Sequence, residues 1–441
     1  MKKRIILMLV AAVLTLTLSG CSGFTLNVSE LMRPPKAGGE NAEIQELIDS
    51  YAGGNYTLKY PQNGSYRTAV TTVDLDGDSR QEAIAFYLPA GDAQTIHLLV
   101  MKETDDEWIV IGDHISGSTT VNEIQFADLD GDGVKEIAVG WSSYNSLISN
   151  LSFYLVSDRE STEIPTNYTY SSMLTGHFSS TDREQVMLLT LLSADKPATA
   201  SLISINDTKN SIYTISEAGI DNDVVSFSQL LVGNVCDGQN GVVIDGVTAE
   251  GTYSTQILYY DKLFEELIPV SFTRDEPTNQ ATRSYAILSK DMDNDGVIEI
   301  PNAFKLPIDK KVADVVPIAM VYWCEYTSLG TLKIDKKSAA SLVYGFYFDI
   351  PEDWDNNFTA YANFSTNEIV FCKWDSKNGI GEELLNIKMF TQKAFSDGVS
   401  AKGYTKLSES DRYVYAFKVP QSNSPMLLTN EEITERFTLM K

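Results

Sequence analysis

Asp128-Leu129-Asp130-Gly131-Asp132-Gly133-Val134-Lys135-Glu136 runs directly into the apolar stretch Ile137-Ala138-Val139-Gly140-Trp141. Acidic side chains at the first, third, fifth and ninth places describe a loop wound around a hard cation. Calcium prefers oxygen and takes six to eight such ligands. Asp128, Asp130 and Asp132 would each offer a carboxylate, with the Val134 carbonyl and Glu136 completing the far side. Gly131 and Gly133 would give the backbone the freedom such a path needs.

The pattern recurs on both sides. Upstream, Asp74, Asp76, Asp78, Arg80 and Glu82 occupy the same five places and lead into Ala83-Ile84-Ala85-Phe86-Tyr87. Downstream, Asp291, Asp293, Asp295, Val297 and Glu299 lead into Ile300. Two weaker copies lie between. One has His177, Ser179, Thr181 and Gln185 where acids stand elsewhere, followed by Val186-Met187-Leu188-Leu189. The other is Asn234-Val235-Cys236-Asp237-Gly238, followed by Val242-Val243-Ile244. The first places fall at 74, 128, 177, 234 and 291, a repeat of 49 to 57 residues. Only the three acid-complete loops are expected to hold calcium, about three sites in all.

Each period carries four strand-like runs. Around the first loop they are Arg67–Asp74, Ala83–Leu88, Ile96–Lys102 and Trp108–His114, after which Ile124–Asp128 enters the next loop. Four strands at this period read as a propeller blade, a unit too small to bury both faces without neighbours. The expected fold class is mainly β: a β-propeller, with five blades favoured and six or seven as alternatives, followed by a small α+β domain. Placing the Arg67–Asp74 strand in the fifth blade would close the ring and remove two open sheet edges.

The acidic loop is similar to the first half of an EF-hand loop, although its closing acid stands at the ninth place and a strand follows. At blade period, Asp-x-Asp-Gly-Asp-x-x-x-Glu resembles the FG-GAP or VCBS repeats of integrin α-like propellers, over roughly residues 66 to 340. The Phe-Gly-Gly-Ala-Pro half of that signature is absent. The resemblance implies a platform for adhesion or ligand binding. The whole chain is similar to VCBS-repeat lipoproteins of clostridia-like bacteria.

Lys2, Lys3 and Arg4 precede an apolar run from Ile5 to Leu18, too short to span a bilayer and laid out like a secretory signal. Leu18-Ser19-Gly20-Cys21 resembles a bacterial lipobox. That resemblance implies cleavage before Cys21 and a lipid on its thiol, hence a chain anchored to the outer face of the cell membrane. The expected segments are a signal peptide (1–20), a Pro- and Gly-containing tether (21–40), a short helix and lead-in (41–65), the propeller (66–340) and a C-terminal α+β domain (341–441). The helix rests on Ile44, Leu47, Ile48 and Tyr51 at helical spacing, with Gly53-Gly54 ending it. Tyr344-Gly345-Phe346-Tyr347-Phe348-Asp349-Ile350-Pro351, followed by Trp354, faintly resembles the start of PsbP-like domains.

The formal charge of −26 would repel a nucleic-acid backbone. Beyond Cys21, Cys236, Cys324 and Cys372 permit at most one disulfide, and a Cys324–Cys372 pair is left open. His97, His114 and His177 have no metal-ligand spacing, and no P-loop, dinucleotide fingerprint, zincin motif or Gly-x-Ser-x-Gly elbow occurs. Gly140-Trp141-Ser142-Ser143-Tyr144 superficially suggests a serine site but continues a loop strand. Glu265-Glu266 and Asp353 with Asp355 read as surface charge. Tyr259-Tyr260 and Trp323 with Tyr322 and Tyr326 read as blade core rather than as a glycan platform.

The favoured function is an extracytoplasmic, membrane-tethered binding scaffold for a protein or glycan, with structural calcium. The alternative is a polysaccharide-acting or other hydrolytic enzyme with a site on the propeller face. A third reading is a component of an envelope assembly held through the C-terminal domain.

Overall fold

A computed structural model describes residues 40–91, 95–105, 107–143, 146, 148–236, 238–271, 281–309, 315–398 and 401–440. Cys21 and the expected signal and tether lie outside them. The chain is mainly β, and among the described residues its strands form six antiparallel sheets. No helix of the described residues is long and apolar enough to cross a membrane. Two compact units are formed. The first takes its described residues from Met1–Tyr60, Ala69–Asp74 and Ser79–Gly117; the second comprises Pro61–Thr68, Leu75–Asp78 and Ser118–Lys441.

The first unit holds one sheet. Glu82–Pro89, His97–Glu103 and Trp108–Ile115 form a meander, and the free edge of Glu82–Pro89 is shared end to end by Val70–Val73 and Tyr56–Lys59. The helix Glu40–Tyr51 lays Ile44 and Ile48 into a core with Ala83, Ala85, Tyr87, Leu99 and Met101. Gly53 and Gly54 follow it at φ +72° and +73°, a left-handed path that stops a helix cheaply only at glycine.

The strand expected to close the fifth blade therefore belongs to the first sheet. Val73 pairs with Glu82, directly across the acidic loop. The loop is a hairpin connection. Bringing its two flanking strands together closes only a few residues of chain, whereas pairing with a partner more than two hundred residues away closes a far longer loop.

In the second unit, sheets two to four open with an inner strand before the loop: Thr120–Ala127, Ser172–Gly176 and Val224–Cys236. The strands after the loops are Glu136–Ser142, Gln185–Thr190 and Gln239–Thr248, with the outer strands beyond them. These are propeller-type blades. Val186 and Leu188 pack with Ala138 and Phe153 of the second sheet. Met187 and Leu189, pointing the other way, pack with Val242 and Ile244 of the fourth. Val243, between those two, joins Ile300 of the fifth. The runs after the first four loops, such as Ala83–Tyr87, Ile137–Val139, Val186–Leu189 and Val242–Ile244, are apolar without alternation because both faces of those strands are covered.

The fifth sheet has the order Ile300–Lys305, Ala319–Tyr326, Leu332–Ser341, Phe346–Asp349, Phe437–Leu439. It continues past residue 341, where a new domain was expected to begin. Phe346 pairs with Ser341 across a short turn, and the chain end returns so that Leu439 pairs with Phe346. The sixth sheet, six strands centred on Glu368–Asp375 and Gly379–Phe390, shares one core with the fifth: Phe346 and Phe348 meet Phe371, Ile387, Phe417 and the fully buried Trp354. The helix Asn430–Glu435 is started by a Thr429–Glu432 capping box.

Candidate metal centre

Each acid-complete loop follows the same backbone path. The fourth and sixth places have positive φ in all three: Gly77 and Ser79, Gly131 and Gly133, Asn294 and Gly296. Ser79 (φ +71°) and Asn294 (φ +66°) adopt it without being glycine. No residue of the third loop does so, and there the amide of Gln185 replaces the closing acid, accepting hydrogen bonds from Phe178 N (2.8 Å) and Ser179 N (3.0 Å).

The fifth-sheet loop is the most complete. Asp291 accepts from Asn294 N (2.7 Å) and Gly296 N (3.1 Å), Asp293 from Asp295 N (3.1 Å), and Asp295 from Val297 N (2.7 Å). These bonds engage both oxygens of Asp291 and one oxygen each of Asp293 and Asp295. Asp291, Asp293, Asp295 and Glu299 each place one oxygen within 4.8 Å of all the others. Oxygens sharing a calcium ion at about 2.3–2.6 Å are separated by at most about 4.6–5.2 Å. Glu299 is wholly buried; its Oε2 accepts from Met292 N, while its Oε1 has no hydrogen-bond partner. No ion pair joins these four carboxylates among the described residues. Burial pushes the Glu299 carboxyl up to about 7, against the Met292 hydrogen bond and with Asp293 and Asp291 adding to the rise. A buried carboxylate oxygen aimed into an acid cluster without a donor fits a bound cation.

The second loop repeats this geometry. Asp128 accepts from Gly131 N (2.7 Å) and Gly133 N (3.0 Å), Asp130 from Asp132 N, Asp132 from Val134 N, and buried Glu136 from Leu129 N (2.8 Å). Asp128, Asp130 and Glu136 gather within 4.8 Å. Here Lys209 intervenes: its Nζ lies 2.6 Å from Asp130 Oδ2 and 2.5 Å from Asp132 Oδ2. Those bonds hold the ammonium well above its ordinary pKa. Two of the loop's carboxylates are thus paired with an ammonium, while Asp128, Asp130 and Glu136 stand close enough to share a metal ion. Burial pushes Glu136 up to about 8, with Asp130, Asp132 and Asp128 adding to the rise.

The boundary between the two units passes through the first loop. Asp74, Arg80 and Glu82 belong to the first unit, where Ser79 N donates to Asp74 Oδ2 (3.1 Å), Arg80 pairs with Asp105 (2.5 Å) and buried Glu82 lies 3.7 Å from Lys102 Nζ. Asp76 and Asp78 belong to the second, where Asp78 N donates to Asp76 Oδ1 (3.3 Å).

Successive loops are laced by main-chain bonds. Lys135 N donates to Leu75 O (2.8 Å), Glu184 N to Asp128 O (2.7 Å) and Ile298 N to Asn234 O (3.0 Å).

The other candidates fall into place as structure. Trp323 is fully buried and Tyr260 nearly so. Ser142 is buried in its strand, unlike an exposed nucleophile. Glu265, Glu266 and Asp353 are exposed, and Asp355 is paired with Lys337 (2.5 Å). Cys236, Cys324 and Cys372 are free and buried, and burial pushes the Cys324 and Cys372 thiols up to about 12.

The residues that sequence reading missed are Lys209, on the outer turn of the next repeat, and Arg283, buried against Asp245 (2.9 Å). A lysine at a hairpin tip carries no signal of its own; only its distance from Asp130 in space gives it a role.

By sequence the chain matches no known family profile and no characterised protein. Among solved structures it is similar to a protein from Lactobacillus plantarum, with 10% identity over 73% of this chain and 85% of that one at a TM-score of 0.30. It is also similar to an exo-β-1,3-galactanase from Phanerochaete chrysosporium, with 9% identity over 85% of this chain and 91% of that one, again at a TM-score of 0.30.

Proposed function

We propose that this chain is a membrane-tethered, extracytoplasmic binding scaffold whose blade loops are stiffened by calcium. The observation that carries the calcium reading is the fifth-sheet loop, with four carboxylate oxygens at calcium spacing and a buried Glu299 oxygen that no protein group satisfies. Asp291, Asp293, Asp295 and Glu299 would hold the ion, and its role is to fix the path into the fifth sheet.

A binding role is supported by the turns of the outer strands. Leu263 and Phe264 are 83% and 68% exposed at the tip between Tyr253–Asp261 and Glu266–Ser271, held there by Asp261 accepting from both backbone N–H groups. Leu329 is 88% exposed at the corresponding tip of the fifth sheet. Large apolar side chains displayed on rigid turns suit contact with a protein or a glycan face. The lipid anchor rests on the Leu18–Cys21 motif.

Fractionation of the native host tests the anchor: Cys21→Ala is expected to move the chain from the membrane pellet to the soluble fraction. A pull-down of envelope extract with and without chelator tests the scaffold. A partner retained with calcium and lost without it supports the proposal. Identical capture under both conditions, or a Cys21→Ala chain still in the pellet, contradicts it.

A further inference from the structure

We infer that the second loop carries its own cation: Lys209 takes the place of calcium between Asp130 and Asp132 and locks the second sheet to the third without metal. The inference rests on the calcium reading of the fifth loop only as its contrast.

Lys209 stands at the tip of the hairpin joining Thr199–Ile205 to Ile212–Gly219. That tip is built to present it. Asn206 Oδ1 accepts from Asn210 N (3.0 Å) and Ser211 N (3.1 Å), Lys209 N donates to Asn206 O (2.8 Å), and Lys209 takes a left-handed φ of +54° without being glycine. The hairpin is seated on the loop at a second point, where Ser204 Oγ donates to Leu129 O (3.1 Å). Arg183, within the third loop, lies 3.7 Å from Asp207 of the same tip.

The ammonium contacts the third and fifth places of the loop. In the fifth-sheet loop the same places are Asp293 and Asp295, which have no ion pair among the described residues. A divalent ion shared by Asp130 and Asp132 would lie within a few ångströms of the Lys209 charge, where like charges repel strongly. Calcium can enter only by expelling the lysine. A tethered ammonium is present at high effective concentration, whereas calcium must be drawn from dilute solution. The two loops share one backbone path and differ in the origin of the cation, so chelation should loosen the entry to the fifth sheet and leave the second-to-third joint intact.

Calorimetric titration with calcium chloride, using the full chain and its variants, tests this. Asp130→Asn in the parent is expected to leave the number of calcium equivalents unchanged, and Asp293→Asn to remove one. Lys209→Met should add one equivalent, and Asp130→Asn in that background should remove it again. Loss of an equivalent in the Asp130→Asn parent, or no gain in Lys209→Met, overturns the inference.

A melt in chelator gives an independent readout. Lys209→Met should melt lower than the parent, and the triple variant Lys209→Met/Asp130→Asn/Asp132→Asn should recover most of the loss by removing the stranded charge. A Lys209→Met chain that melts like the parent in chelator overturns the inference. If no variant binds calcium at all, the calcium reading fails, and the chelator melts still decide the role of Lys209.

Discussion

Calcium added to chelator-stripped protein is expected to raise its melting temperature, and to raise it more at pH 8 than at pH 5. Without metal, burial lifts the Glu299 carboxyl to about 7 and the Glu136 carboxyl to about 8. The unfolded chain holds these protons at an ordinary value of about 4.3. A carboxyl whose folded pKa is raised binds its proton more tightly in the folded state. Its contribution to stability is therefore fully present below the unfolded value and is lost as pH rises through the folded one. The stripped protein should lose stability steadily between about pH 4.5 and pH 8. Calcium replaces the proton as the group that neutralises Glu299, so the loaded protein should lose less over that interval. At a hundredfold excess over Kd, one site contributes about 2.7 kcal/mol, which corresponds to a shift of about 3–4 °C for a body of this size. Magnesium should do far less, because its bonds of about 2.0–2.1 Å would require the four oxygens to draw closer. Glu299→Gln should flatten the pH dependence and remove most of the calcium shift. Melting curves that coincide with and without calcium at pH 8 would sink the metal reading.

The second large effect is expected at Arg283. Its guanidinium is completely buried and bonds Asp245 Oδ1 (2.9 Å), Thr255 Oγ1 (2.8 Å) and the carbonyls of Ala281 (3.0 Å) and Ile287 (2.5 Å). Asp245, equally buried in the fourth sheet, accepts from Ser289 N (2.7 Å) and Ser289 Oγ (3.0 Å). The network ties the segment leading to Asp291 onto the fourth sheet. In sheets two to four that position is held by a regular inner strand; here, among the described residues, it is held by isolated bridges of Tyr253 with Arg283 and of Lys290 with Glu299. Removing one partner strands a buried charge, which typically costs about 3–5 kcal/mol. Arg283→Met should therefore lower unfolding stability by that amount in urea titration and also weaken calcium binding at the fifth-sheet loop. Arg283→Met/Asp245→Asn should recover part of the loss, since the stranded carboxylate is gone. A single variant within about 0.5 kcal/mol of the parent would show that the network is dispensable.

Much of the fold could be read from the chain because its decisive interactions are local. Acids at alternate places, with residues able to take positive φ between them, fix the loop whatever lies around it. An apolar run directly after each of the first four loops marks a central strand, and short connections pair that strand with its chain neighbours. The same locality explains the one misplaced pairing. Val70–Val73 joins Glu82–Pro89, its neighbour across the loop. The repeat stops near residue 341, where the sequence alone points to a new domain. Backbone pairing does not need the repeat, so Phe346–Asp349 continues the fifth sheet and Phe437–Leu439 is added beside it.

The sequence by itself determined which loops keep a full set of carboxylates, which have lost them, and that four-stranded units follow at a period near 54 residues. Tertiary structure alone decided what stands opposite those carboxylates. Asp128–Glu136 and Asp291–Glu299 are nearly the same loop in sequence, yet Lys209 crosses 77 residues of chain to reach Asp132. No counterpart reaches Asp295 among the described residues. Covalent neighbours set the path of a loop; its electrostatic environment is set by whatever the neighbouring sheet brings within a few ångströms, and spacing along the chain does not encode that distance.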